Sequence, residues 1–139
     1  LVASIGTTYI QDEEVTPLAV GASVPVGLLA VALLVTNNLR DLPGDELAGK
    51  RTLAVRIGEK PTRILYVLTI LMAFLSLPYL SLLRPGALLA LLALPAAIAP
   101  VRSVLRGTSG VGLVAVLGAT GKLQMIYGTL LCVGLALGI

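Results

Sequence analysis

An all-α, multi-pass transmembrane helix bundle is the fold class this sequence predicts, and two observations carry the prediction. Hydrophobic residues fill 57% of the 139 positions and charged residues 12%, with a mean hydropathy of +1.00. Soluble domains carry about 25% charged residues. The charges are also segregated: no Asp, Glu, Lys or Arg falls in residues 15–39, 64–83, 85–101 or 123–139. Crossing a bilayer takes roughly 17–25 mostly apolar residues. A core helix of a soluble protein keeps a polar stripe for water, which these runs lack, so a water-soluble globule is excluded.

The elements follow in order. Residues 1–10 read as the end of an apolar helix, and Gln11-Asp12-Glu13-Glu14 as an acidic connector. Thr16-Pro17 opens the next span, residues 16–40, with proline in the first turn and Pro25 as a kink that a packed membrane bundle tolerates. Residues 41–61 are polar and charge-rich and are expected to form a loop. A third span covers 62–83 and bends near Pro78. Arg84-Pro85-Gly86 turns the chain into a fourth span, 87–105, with prolines at 95 and 100. Five glycines in residues 107–121 argue against a continuous helix there. That stretch is expected to be a loop holding a short surface helix near 111–119, with the last span at 122–139.

Lysine and arginine number 0, 6, 1 and 3 in the successive connections. This is the alternation that the positive-inside rule requires of four spans, and it puts loop 41–61 on the cytoplasmic side of the cell membrane, inner or plasma. The lipid bilayer is the expected partner. With a net charge of only +3 and the basic residues confined to connections, nucleic acid is not. No histidine occurs, which removes the commonest general base and metal ligand. The single cysteine, Cys132, lies inside the last apolar run, cannot form an internal disulfide, and reads as a small membrane-buried side chain.

The chemistry-bearing stretch runs from Asn37-Asn38-Leu39-Arg40-Asp41 through Asp45 to Gly49-Lys50-Arg51-Thr52-Leu53-Ala54-Val55-Arg56-Ile57-Gly58. Asn37, Asp41 and Asp45 stand at i, i+4 and i+8, a spacing that lines one helical face. Mg²⁺ takes oxygen ligands and is usually held by one or two carboxylates, waters and substrate phosphates. An Asp-x-x-x-Asp pair supplies such a partial shell. Lys50, Arg51 and Arg56 would neutralise the remaining phosphate charge. On spacing alone the same residues also suit topological anchoring and anionic lipid. Pro43-Gly44 between the aspartates predicts a kinked or unwound helix end.

The run from Asn37 to Gly58 resembles the second aspartate-rich motif of the intramembrane aromatic prenyltransferases, the UbiA superfamily. Gly49 to Arg56 is most similar to the 1,4-dihydroxy-2-naphthoate polyprenyltransferases of menaquinone synthesis, as is Gly6-Thr7-Thr8-Tyr9-Ile10-Gln11 upstream. The resemblance covers the whole chain but only the second half of a family member. It implies the second half of a roughly nine-helix bundle around a cavity open to lipid, with two facing aspartate-rich motifs that hold Mg²⁺ on a polyprenyl diphosphate. Asp41 and Asp45 match the second motif and are the expected catalytic metal ligands. Lys50, Arg51 and Arg56 are the expected diphosphate contacts, and Asn37 and Asn38 contacts near the metal or the acceptor. The implied reaction prenylates dihydroxynaphthoate with loss of CO₂, giving demethylmenaquinone. The first motif belongs to the N-terminal half of the family's fold, so residues 1–139 alone are expected to be inactive. Another aromatic acceptor, or a non-enzymatic membrane module, remains open at this point.

Overall fold

The computed structural model describes residues 2–137, apart from the side chains of residues 3, 4 and 12. Residues 1, 138 and 139, assigned by sequence to the first and last helices, lie outside the described residues. Every regular element among the described residues is helical: α1 (Val2–Asp12), α2 (Pro17–Leu47), α3 (Leu53–Ile57), α4 (Glu59–Leu75), α5 (Leu77–Leu83), a 3₁₀ segment (Pro85–Ala93), α6 (Leu94–Leu105) and α7 (Gly112–Leu137). Four stretches are long and apolar enough to cross a membrane: Pro17–Leu47, Glu59–Leu83, Pro85–Leu105 and Gly112–Leu137.

Thr16 starts α2 by accepting the Ala19 N–H on its hydroxyl at 3.1 Å, which satisfies one of the orphan donors of a first turn. At 1.5 Å per residue, the 31 residues of α2 extend about 46 Å, against about 30 Å of hydrocarbon. Its last turns therefore stand beyond the apolar layer. This corrects the expected loop at 41–61: the helix continues through Pro43-Gly44 to Leu47, and only the segment after it turns. A proline removes one bond from the helical ladder. Here buried Leu39 and Asp45 on either side of it hold the helix to its neighbours.

Pro78 cannot continue the ladder of α4, and the chain restarts there as α5. Ser76 at the junction donates its hydroxyl to the Ala73 carbonyl at 2.8 Å. Pro95 has a similar effect on the following stretch. It leaves the Leu91 carbonyl to the Leu94 N–H, a 3₁₀ bond, and the three-residue period of that coil stacks Ala87, Ala90 and Ala93 into one fully buried stripe. This stripe packs on α7. Gly134 of α7 lies so close to Gly86 that an added Cβ would collide with the Gly86 carbonyl oxygen.

The second correction concerns α7. The expected loop at 107–121 is a helix from Gly112 onward, and the span set at 122–139 begins ten residues earlier. Leu113, Val116, Thr120, Leu123, Tyr127 and Leu131, spaced three and four apart, are all buried, and this packing outweighs the glycines' low propensity. Lys122 consequently lies within α7 and not in a connection. Buried polar groups are satisfied between helices: Tyr66 Oη and Thr120 Oγ1 are 2.7 Å apart, and Tyr127 donates to the Ala73 carbonyl at 2.8 Å while its ring meets Phe74 edge to face.

Candidate functional site

The expected site residues sit where α2 ends. Because the helix is continuous, Asn37, Asp41, Asp45 and Asn38 fall within an arc of about 100° at 3.6 residues per turn. Asp41 is half-buried and gripped by its neighbour: Arg40 donates Nε to Oδ1 at 2.8 Å and a terminal nitrogen to Oδ2 at 3.0 Å. Hydrogen bonding to this guanidinium holds the Asp41 carboxyl below its ordinary value. Asp45 is only 7% exposed and receives Lys50 Nζ on Oδ1 at 3.0 Å.

That second pair depends on how the helix stops. Gly49 adopts φ +68°, the Lys50 N–H returns to the Asp45 carbonyl at 2.9 Å, and the Gly49 N–H to the Glu46 carbonyl at 3.1 Å. This is a Schellman closure. It reverses the chain so that Lys50, five residues on, folds back over Asp45. Thr52 then caps α3 by accepting the Val55 N–H at 3.4 Å.

Arg40, Asp41, Pro43, Gly44, Asp45 and Lys50 line one open pocket of about 480 Å³. A side chain on Gly44 would project into open space, so the glycine keeps the room between the carboxylates clear. The structure thus brings Asp41, Asp45 and Lys50 together. It does not bring the other expected residues into the pocket. Asn37 and Asn38 are half-buried about one turn deeper, and Arg51 and Arg56 are exposed on the segment that follows. Neither arginine has an ion-pair partner among the described residues.

No group of three or more His, Cys, Asp or Glu side chains able to hold a metal occurs among the described residues. Two carboxylates on one pocket wall, with space for water and phosphate, fit the incomplete protein shell that Mg²⁺ accepts.

Comparison with known proteins decides the family: residues 1–112 match the UbiA prenyltransferase family. The chain belongs to that family. This UbiA-family chain is also 36% identical to the 1,4-dihydroxy-2-naphthoate octaprenyltransferase of Mycobacterium tuberculosis over 99% of its own length and 47% of the relative's. Against the proteins of the same name from Mycobacterium leprae and Escherichia coli it is 35% and 32% identical, over 91% and 96% of this chain and 43% and 44% of theirs. It therefore spans under half the length of these relatives. No solved structure matches it significantly.

Two residues of this UbiA-family site were not singled out by sequence reasoning. Arg40 lines the pocket and pairs with Asp41, a role signalled only by its position inside the motif. Arg63, 8% exposed, holds Glu59 and donates to the carbonyls of Val104 at 2.7 Å and Thr108 at 2.8 Å. It caps the end of α6 and ties the 106–111 connection to α4, beside a small cleft shared with Leu39, Arg40 and Pro43. Its two carbonyl partners lie 41 and 45 residues away, beyond any local pattern. A separate apolar hollow of about 510 Å³ lies between the first turns of α2 and the last turns of α7, at the other end of the bundle.

Proposed function

We propose that this chain is the C-terminal part of a membrane enzyme that transfers a polyprenyl group from polyprenyl diphosphate to 1,4-dihydroxy-2-naphthoate, giving demethylmenaquinone. The observation that carries the reading is the single pocket lined by Asp41, Asp45, Arg40 and Lys50 at the end of a membrane-crossing helix. The names of the relatives matched along nearly the whole chain support it.

Asp41 and Asp45 would hold Mg²⁺, and the motif loop would face the cytosol. When bound, the metal supplies Lewis-acid assistance to the leaving diphosphate. The protein's own groups do the rest. Arg40 and Lys50, which occupy the carboxylates here, are placed to turn to the diphosphate oxygens when the acids take the metal. Arg51 and Arg56, exposed on the segment after α2 and without an ion-pair partner among the described residues, would add positive charge for the phosphates. Asn37 and Asn38 present amides below the carboxylates, where the allylic end of the donor meets the acceptor. The apolar helices keep water from the developing cationic carbon until the electron-rich ring attacks it and CO₂ leaves. The relatives' greater length supports a further half of the site outside residues 1–139, and this segment alone is expected to turn over little.

The test is prenyl transfer by the full-length protein in membranes, with Mg²⁺ titrated and naphthoate, benzoate, homogentisate and chlorophyllide acceptors compared. Transfer to the naphthoate, abolished by Asp41→Ala with Asp45→Ala, is the expected result. Undiminished transfer in that double variant would reduce the chain to a membrane module without this chemistry.

A further inference from the structure

Lys122 is out of place. It lies ten residues inside α7 and is exposed on the side away from the buried stripe of Leu113, Val116, Thr120 and Leu123. Its depth can be read from its neighbours. Thr120 meets Tyr66, and Tyr66 stands three residues inward of Arg63, whose guanidinium caps α6 at the polar end. With α4 and α7 both running inward from that end, Lys122 sits about 8 Å below Arg63 at 1.5 Å per residue. An ionisable side chain at such a level normally faces a cavity or a partner of opposite charge.

Lys122 has no such partner among the described residues. Of its acidic residues, Asp41, Asp45 and Glu59 are paired with Arg40, Lys50 and Arg63. Asp12 ends α1 and Glu13 and Glu14 follow it in the connection at the far end of α2, while Glu46 is exposed in the last turn of α2, beyond the apolar layer. The helix surface beside the ammonium is bare. Gly118, one turn back, and Gly121 both lie where an added Cβ would meet nothing within 4 Å. No neighbouring side chain fills the space where their Cβ atoms would stand, and they leave flat backbone next to the cation.

We propose that Lys122, with the backbone at Gly118 and Gly121, is the subsite for the carboxylate of the aromatic acceptor: the ammonium pairs with the carboxylate, and the ring lies against the glycine face. The proposal rests on the reading of the protein as a naphthoate prenyltransferase, and it names a specificity residue for that reaction. An acid carrying its charge on a flat ring suits a cation held below the level of the diphosphate pocket, since the ring must meet the allylic carbon beneath the phosphates.

The test uses the full-length protein in detergent, comparing wild type with Lys122→Met, Lys122→Arg and Gly118→Leu. Equilibrium binding of 1,4-dihydroxy-2-naphthoate is measured beside that of 1,4-dihydroxynaphthalene, which lacks the carboxylate, together with donor KM and the melting temperature. The expected result is at least a tenfold loss of naphthoate affinity in Lys122→Met and Gly118→Leu. Binding of the decarboxylated ring should be unchanged in Lys122→Met, donor KM and melting should hold steady in both variants, and Lys122→Arg should recover most of the affinity. Unchanged naphthoate binding overturns the proposal. If melting also stays unchanged, the ammonium merely reaches the headgroup layer; if it falls, the counter-ion is an acidic side chain elsewhere in the protein. If wild type binds the naphthoate through Lys122 but transfers no prenyl group, the functional reading fails and the subsite stands.

Discussion

Asp45 and Asp41 occupy different environments although they belong to one motif. Asp45 is nearly covered and meets an exposed lysine, while Asp41 is half open and held in a two-point grip. Replacing Asp45 by Asn is expected to cut prenyl transfer by the full-length enzyme at least ~100-fold, about 2.7 kcal/mol of barrier. Its melting temperature should move little, because ion pairs with one exposed partner contribute about 0–1 kcal/mol. Kinetics and a thermal melt on the same preparation check both halves of this expectation. Gly134→Ala should do the reverse. Its Cβ would collide with the Gly86 carbonyl oxygen, so the backbone must shift, at a cost of about 1–3 kcal/mol or more, visible as a lower melting temperature. The spacing of Asp41 and Asp45 was legible in the sequence. The partners of each carboxylate were not, because they depend on the reversal at Gly49.

Among the elements, α7 departs most from its sequence pattern. Its glycines predict a break, yet its buried face is continuous from Leu113 to Gly134. Backbone amides of residues 116–121 should exchange with solvent as slowly as those of the following turns; loop-like exchange there would contradict a single helix. The connection before it depends on one side chain. Arg63→Met takes its donor from the Thr108 carbonyl and one of several donors from the Val104 carbonyl, which keeps the Gly107 N–H at 3.2 Å; it should cost about 1–3 kcal/mol, with faster exchange confined first to residues 105–111. The α2 terminus has a similar explanation: Pro43 reads as a stop in isolation, but one lost hydrogen bond is outweighed by the neighbours that Leu39 and Asp45 bury against.

For the whole molecule, the four crossings and the asymmetry of charge lead to a prediction of orientation. The segment after α2 carries Lys50, Arg51 and Arg56, while the connection between α1 and α2 carries no basic residue, so the positive-inside rule places the first on the cytosolic side. In a Cys132→Ser background, a cysteine at position 51 should react with a membrane-impermeant maleimide only in inside-out vesicles. One at position 14 should react only in right-side-out vesicles, and the opposite pattern would invert the bundle.

The sequence by itself determined that this protein is a membrane-crossing helical bundle with an acidic pair followed by a basic run. Hydropathy, charge placement and motif spacing are local properties, written along the chain. Only the tertiary structure decided where α2 and α7 stop and start, that Lys50 and Arg40 rather than Arg51 and Arg56 share the pocket with the carboxylates, and that Lys122 is inside a span. Those outcomes depend on packing between residues far apart in sequence and on the chain reversal at one glycine, energies that a run of neighbouring residues does not contain.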